Sequence, residues 1–396
     1  MTAKRSLMLS SGFLLFLLAV AAVAWWIGTQ AQSAILQSQA GEVSSFSVDP
    51  NEPGFRAFTT TTETVLVLHT AVRAGVGAEL VGVTLLSGGD GGGGGTAVTI
   101  PRTFVDPGSS GVPLAELFAA DGLDAVLGEM RSVLGIGFSE VVVLDASSWT
   151  GLMIADLPLT LTLRNDLVQA ANESTADGAS PDGTTTQLAT EVLLAAGTRD
   201  FDLTEIALVA GHRNPAEPGL AVALRQQQVW RAWISRTAGA DERPELFEQE
   251  TGFAKLIGTL ASGEVAYRTI DTVTIPAEDP EATLYEAQGE PIADLVAQIV
   301  PFPESASPGD RPTVLLLDPA VADGGSLEVI SAIARSGGLV TILGNAETGV
   351  ALEPEVQVHD PLAAEVAEEI ADRLGYPMPR IVPLEDATTS ITVIAR

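Results

Sequence analysis

Apolar and polar positions divide the chain into a long apolar first segment and a following region of alternating strand-like and helix-like patterns. The run Leu7–Ile27 contains no charged residue. A run of about 20 apolar residues is long enough to cross a bilayer as a helix. No later run approaches this length. We therefore predict one membrane-spanning segment in residues 1–29, followed by a polar juxtamembrane segment in residues 30–60.

The flanks of this run predict its orientation. Lys4 and Arg5 precede it, and the next basic residue is Arg56. The positive-inside rule keeps the N-terminus in the cytoplasm and sends the rest outside, as in a single-pass protein of the cell membrane. A cleaved signal peptide is the alternative, because Ala19–Ala24 offers small-residue cleavage sites. The length of the run and the bulky pair Trp25-Trp26 favour a retained anchor.

Strand-like and helix-like patterns alternate between residues 61 and 302. The predicted strands are Thr64–His69, Glu79–Leu86, Ala97–Ile100, Val141–Leu144 (buried on both faces) and Leu157–Leu163 (one wet face). The predicted helices are Val112–Leu134, Gln187–Ala196, Leu220–Ala238 and Pro291–Val300, and Asn172–Thr186 is a predicted loop. This alternation predicts an α/β domain.

A smaller α/β unit is predicted in residues 313–396, after a proline-rich linker in residues 303–312. Its predicted strands are Thr313–Leu317, Leu339–Leu343 and Ser390–Ile394, and its predicted helices are Ser326–Ser336 and Leu362–Leu374. The order is β-α-β-α-β. The fold class is therefore α/β throughout, with an N-terminal transmembrane helix, one larger domain and one small C-terminal domain.

The composition argues against several classes of function and of site. With 46% hydrophobic residues and a mean hydropathy of +0.28, the chain is able to bury a substantial core. A net charge of −31 argues against general nucleic-acid binding, which needs basic surface. The chain has no cysteine, and its three histidines show no zinc-site spacing, so no metal site is predicted. The loop Gly91–Gly95 lacks the Gly-Lys-Ser/Thr of a phosphate-binding loop and indicates a hairpin.

Arginines are the remaining candidates for a ligand site. Because basic residues are few in this acidic chain, each clustered arginine is a candidate for binding an anion. Arg102 follows a predicted strand, at the usual place for ligand contacts in an α/β sheet. Arg225 and Gln226 lie on the long helix, and Arg213 lies in the preceding loop. Arginines that converge on one pocket would hold a phosphate or pyrophosphate by bidentate bonds. Spacing alone favours the alternative, in which each arginine pairs with one of the many carboxylates.

The order of several motifs resembles the LytR–CpsA–Psr family of bacterial envelope proteins with an appended LytR C-terminal domain. The motifs are Thr99–Val105 (similar to the family's S-I-P-R-D), Pro113–Gly122, Leu134–Asp145 with Trp149–Asp156, Leu220–Arg231 (similar to R-x-x-R-Q-Q) and Leu316–Ala346. The resemblance implies an α/β/α sandwich with an apolar pocket for a polyprenyl tail. Arginines and aspartates at its mouth would hold a lipid pyrophosphate and Mg²⁺. The implied activity joins a lipid-linked glycopolymer to peptidoglycan through a phosphodiester.

The chain departs from the family at the acidic positions. His69 lies in the segment where the family has an aspartate near the end of its first strand, and Thr103 replaces the aspartate after Arg102. Val222 stands at the first arginine of the helix motif, although Arg225 and Gln226 are kept. Arg73 and Arg213 are approximate further matches. The loss of carboxylates removes the expected ligands of a hard divalent cation.

Two functional hypotheses follow from the resemblance. The first is a membrane-anchored envelope protein that binds a polyprenyl-pyrophosphate-linked glycopolymer, with weak or lost transferase activity. The alternative is an active, Mg²⁺-dependent phosphotransferase that attaches such polymers to peptidoglycan. In both, the pyrophosphate-binding candidates are Arg102, Arg225, Gln226, Arg213 and Arg73, and the partners are the lipid bilayer, the lipid-linked polymer and, for the transferase, peptidoglycan.

Overall fold

The computed structural model describes residues 49, 52–73, 77–89, 93–153, 158–170, 190–239, 252–307, 309–319, 321, 325–345, 353–383 and 388–395. The chain divides into two compact units, Met1–Glu52 and Pro53–Arg396, and the second contains every helix and strand of the described residues. The predicted membrane-spanning segment and the predicted loop Asn172–Thr186 lie outside the described residues. Of the helices that are described, none combines the length and the apolar character needed to cross a bilayer.

The described strands and helices follow one another in a mixed α/β order. The strands are β1 (Arg56–Phe58), β2 (Thr64–Arg73), β3 (Gly77–Gly88), β4 (Gly95–Pro101), β5 (Phe104–Val105), β6 (Glu140–Leu144), β7 (Leu159–Leu163), β8 (Leu167–Ala170), β9 (Thr190–Leu194), β10 (Gly197–Phe201), β11 (Val265–Thr269), β12 (Thr272–Ile275), β13 (Leu284–Ala287), β14 (Thr313–Leu317), β15 (Leu339–Gly344), β16 (Glu355–Val358), β17 (Arg380–Ile381) and β18 (Ile391–Ile394). The α-helices are α1 (Leu114–Asp121), α2 (Leu123–Leu134), α3 (Ala146–Met153), α4 (Leu203–Gly211), α5 (Gly219–Ala238), α6 (Gly252–Ala261), α7 (Gly289–Ile299), α8 (Leu327–Arg335) and α9 (Ala364–Leu374).

The central sheet has the strand order β11-β4-β3-β2-β6. Strand β3 is antiparallel to both of its neighbours, whereas β2 is parallel to β6 and β4 is parallel to β11. Four strands therefore run in the same direction and end at one edge, at Arg73, Pro101, Leu144 and Thr269. We call this edge the strand-end edge.

Helices cover both faces of the central sheet. Val65 and Val67 of β2 belong to a core with α3, α4, α5 and α6, whereas Leu66 and Leu68 belong to a second core with α1, α2 and α7. Successive side chains of a strand point to opposite faces, so this alternation shows that β2 is buried on both sides. The predicted α/β class is confirmed for the described residues, with the sheet between two helical layers.

The C-terminal sheet has the strand order β1-β15-β14-β18-β16-β17, and α8 and α9 pack on it around a third core. Its first strand comes from residues 56–58, which the sequence indicated only as part of a polar segment. Backbone N–H groups of Asn345 and Thr62 donate to the carbonyls of Phe55 (2.9 Å) and Phe302 (2.8 Å) at either end of this stretch. The segment Phe55–Thr62, which we call the strap, therefore bonds to the C-terminal sheet before the chain enters β2.

Arg311 joins the larger α/β region to the C-terminal one. Its Nε and Nη2 donate to the carbonyl of Gly135, at 3.2 and 2.8 Å, just after α2. Its Nη1 donates to the carbonyls of Ala334 and Gly338, at 2.9 and 3.1 Å, at the end of α8. The negative ends of two helix dipoles thus face one guanidinium. Burial lowers the pKa of Arg311.

Three of the sequence predictions were wrong. Residues 190–194 form strand β9, paired with β8, although a helix was predicted over Gln187–Ala196. Strand β6 was predicted to be buried on both faces, but it is an edge strand and Val143 is 43% exposed. The predicted helix Val112–Leu134 is two helices, because Gly122 between them has φ of 77°.

We expect Arg311→Gln to lower the free energy of unfolding by about 3 kcal/mol, because a shorter neutral side chain leaves buried helix-end carbonyls without donors. Urea denaturation of the full-length chain measures this. Arg131→Gln, at an exposed arginine in the last turn of α2, is the matched control and should change the midpoint little. Equal midpoints for the two variants would contradict this role of Arg311.

Candidate functional site

Arg102 lies at the strand-end edge, directly after β4, as the sequence predicted. The start of α5 packs against it. A Cβ placed on Gly219, the first residue of α5, would lie 3.3 Å from Arg102 Cγ and 2.8 Å from Thr103 Oγ1. Glycine is therefore needed here for close approach of the helix to the strand end. The first turn of a 20-residue helix and an arginine thus meet at one place.

The first turn of α5 is bonded to a buried tyrosine. The hydroxyl oxygen of Tyr285 accepts a hydrogen bond from the backbone N–H of Leu220. The backbone N–H of Tyr285 donates to the carbonyl of Thr103 at 3.1 Å. Burial raises the pKa of Tyr285. Thr103, which is 8% exposed, has its hydroxyl buried next to the helix start, with no hydrogen-bond partner among the described residues. The site therefore combines the positive end of a helix dipole with hydroxyl groups and an arginine.

Arg225 is buried on α5 and bonded within the protein. Its Nε donates to the carbonyl of Val209 at 2.9 Å, and its Nη2 donates to the carbonyl of His212. Its Nη1 lies 2.5 Å from Oε1 of Glu217, and both side chains are about nine-tenths buried. Arg225 thus binds the carbonyls at the end of α4 and pairs with a buried carboxylate.

Gln226 is also turned inward. Its Nε2 donates to the carbonyl of Ala210 at 2.9 Å, again at the end of α4, and the residue is 0% exposed. Its Oε1 lies against Gly82 of β3, where a Cβ would collide with it. Gln226 is therefore held between the central sheet and the end of α4.

Arg213, in the loop between α4 and α5, is paired with carboxylates. Its Nη1 lies 2.6 Å from Glu281 Oε2, and its Nη2 lies 3.9 Å from Glu79 Oε2. The other oxygen of Glu281 accepts the backbone N–H of Ala216 at 2.6 Å, which fixes this loop. Arg73 is the last residue of β2 at the strand-end edge, and its side chain lies outside the described part of the structure.

The structure thus brings Arg102, Arg213, Arg225 and Gln226 to the region where α5 begins. Glu217 and Glu281, which bind two of these arginines, had no sequence signal that distinguished them from the other carboxylates. The assignment of the five candidates to pyrophosphate binding stays a prediction.

His69 lies in a layer of aromatic side chains beneath this region. Its ring stacks on Trp149 with centroids 5.6 Å apart, and Trp230 Nε1 donates to its Nε2 at 3.4 Å. Trp149, Trp230 and Trp233 are at most 2% exposed and pack against one another on this face of the sheet. Burial lowers the pKa of His69 to about 3, so the imidazole is neutral near pH 7. These rings occupy the apolar layer between the sheet and α5.

The fit of Mg²⁺ to these residues is poor. A hard cation needs several oxygen ligands. His69 is a neutral imidazole in an apolar layer, and the carboxylates near α5 are bonded to arginines. Within the described residues, no group of three or more histidine or carboxylate side chains is arranged to hold a metal ion.

We expect Glu217→Gln to lower the free energy of unfolding by about 3 kcal/mol, because it leaves the buried Arg225 charge without its carboxylate. Glu368→Gln, at an exposed carboxylate within α9, is the matched control and should change stability little. Chemical denaturation at pH 7 compares them. A Glu217→Gln variant as stable as the wild type would show that Arg225 does not depend on this pair.

The pH dependence of stability tests the environment of His69. The folded-state pKa of about 3 lies below the ordinary value of 6.5, so only the unfolded chain binds this proton between those pH values. His69 therefore lowers stability as the pH falls below 6.5, by up to about 1.4 kcal/mol per pH unit. Between pH 7 and pH 5, the wild type should lose about 2 kcal/mol more than His69→Gln. Parallel stability curves for the two proteins would contradict the buried neutral imidazole.

No family model matches the sequence, and no curated protein matches it.

Solved structures do match. The crystal structure of B. subtilis TagT is 16% identical, with a TM-score of 0.43, and the match covers 61% of this chain and 90% of TagT. B. subtilis TagV is 11% identical, with a TM-score of 0.44, over 61% of this chain and 97% of TagV. A structure of the LytR-CPS2A-psr family protein YwtF (TagT) with bound octaprenyl pyrophosphate is 16% identical, with a TM-score of 0.42, over 61% of this chain and 89% of that one. The solved structures that resemble this chain thus include proteins of the LytR–CpsA–Psr family, which is the family that its sequence motifs resemble.

Proposed function

We propose that this chain is a cell-envelope protein of the LytR–CpsA–Psr type that binds a polyprenyl-pyrophosphate-linked glycopolymer, and that binding, with weak or lost transfer, is its role. The pyrophosphate is held at the strand-end edge, where Arg102 meets the first turn of α5. The N-terminal apolar segment anchors the chain in the cell membrane, with residues 30–396 outside the cytoplasm.

The position of Arg102 is the observation that carries this proposal. It follows the end of β4 and packs against the start of a 20-residue helix. The start of a helix attracts anions through its N–H groups and its dipole. An arginine at the same place adds bidentate, charge-assisted bonds to phosphoryl oxygens. The order of the sequence motifs adds the lipid-linked glycopolymer as the source of the pyrophosphate.

The surroundings of the other candidates support binding over transfer. Phosphoryl transfer needs preorganised positive charge to stabilise the transition state. Arg213 and Arg225 have their charges compensated by Glu281 and Glu217. His69, a buried neutral imidazole, lies in the segment where the family resemblance implies a carboxylate. The paired arginines therefore offer less positive charge to the transition state, and the missing carboxylate removes an oxygen ligand for a divalent cation.

Binding of undecaprenyl pyrophosphate to the full-length chain in detergent tests the proposal. We expect Arg102→Ala to weaken binding by about ten- to a hundredfold, because it removes charge-assisted bonds worth about 1.5–3 kcal/mol. Arg236→Ala, at an exposed arginine in the last turn of the same helix, is the control and should bind like the wild type. Equal affinities of wild type and Arg102→Ala would contradict the proposed site.

A further inference from the structure

Apart from the site at Arg102, a polar cleft lies between the larger α/β region and the C-terminal region. It encloses about 480 Å³ between β11, α7 and α8. Its polar lining residues are Arg268, Asp271, Asp294, Gln298, Ser331 and Arg335. We call it the composite groove, because the first four residues belong to the larger region and the last two to the C-terminal one.

Direct bonds across the composite groove hold its two walls together. Arg335 of α8 forms an ion pair with Asp294 of α7, and the hydroxyl of Ser331 donates to the carbonyl of Ala297 at 3.3 Å. Arg311 and the strap add further bonds between the same two regions. The groove is therefore formed before any ligand binds.

The chemistry of the lining suits a carbohydrate. Each sugar hydroxyl both donates and accepts hydrogen bonds, and the groove offers both partners. Arg268 and Gln298 are donors with exposed side chains, and Asp271 is an exposed acceptor. Pro291 in the same wall is exposed and supplies apolar surface for the C–H face of a sugar ring. A few convergent polar groups beside an apolar surface are typical of a small-molecule site.

The groove begins within reach of the proposed pyrophosphate site. In the register of β11 with β4, Arg268 is paired with Val98, four residues before Arg102. At about 3.3 Å per residue and about 4.8 Å between strands, the two arginine Cα atoms lie roughly 14 Å apart. Val98 and α7 belong to the second core, whereas α5 belongs to the first, so the two sites lie on opposite faces of the sheet. A short oligosaccharide joins them around the strand-end edge.

We propose that the composite groove binds the glycan of the lipid-linked glycopolymer whose pyrophosphate lies at Arg102. This inference rests on the proposed function and adds a role for the C-terminal region, which supplies one wall. Arg268 and Gln298 bind sugar hydroxyl or acidic groups, and the docked α8 closes the groove from the other side.

The test compares the binding of three ligands to the full-length chain. The first is undecaprenyl pyrophosphate alone. The second and third are the same lipid carrying a tetrasaccharide, made of N-acetylglucosamine only in one and containing uronic acid in the other. We expect at least one tetrasaccharide to raise affinity about tenfold, and Arg268→Ala with Gln298→Ala to abolish this gain while leaving affinity for the bare lipid unchanged. Both side chains are exposed, so the variant should fold. Arg236→Ala is the control for the loss of one exposed arginine.

The outcomes separate the two proposals. If the bare lipid binds through Arg102 but neither tetrasaccharide adds affinity, or if the gain survives in the double variant, the groove proposal is overturned and the proposed function stands. If the wild type binds neither the bare lipid nor the glycan-bearing lipids, both proposals are overturned.

Discussion

The unpaired carbonyl groups at helix ends determine where two buried arginines of this chain, Arg225 and Arg311, lie. The last carbonyls of a helix have no partner within it and carry its partial negative charge. Arg225 and Gln226 satisfy those at the end of α4, and Arg311 satisfies those after α2 and α8. Because burying a guanidinium is costly unless its donors are bonded, these contacts fix the helices and the arginines together. The start of α5 and the docking of the C-terminal region both depend on them.

This constraint separates two kinds of arginine that look alike in the sequence. Arg225 lies in a motif that resembles a pyrophosphate-binding helix, but its donors bind α4 and Glu217. Arg102 lies at a strand end and packs against the first turn of α5, where we propose that the pyrophosphate binds. In this region Arg225 is therefore a structural element, whereas Arg102 is the residue on which the proposed anion site rests.

Local pattern predicted the strands that form the middle of the sheets and the long helix α5, because their apolar spacing agrees with their burial. It did not predict that Val141–Leu144 is an edge strand, since an edge position depends on which strands pair and not on the composition of one run. Residues 190–194 show helix-like spacing but pair with β8, and tertiary pairing overrode the local preference. The strap was missed for the same reason, because a three-residue strand is defined by its partner. At the site, the end of a predicted strand gave the place of Arg102 correctly. The carboxylate partners of Arg213 and Arg225 were not predicted, because tertiary contacts and not local pattern select them.

The most direct test of a binding role is a turnover time course with a lipid-linked glycopolymer, Mg²⁺ and peptidoglycan on the full-length chain, run at a protein concentration at which binding is saturated. We predict stoichiometric, reversible binding with no cleavage of the pyrophosphate and no polymer joined to peptidoglycan. Multiple turnovers that are lost in Arg102→Ala would contradict this and establish the phosphotransferase alternative.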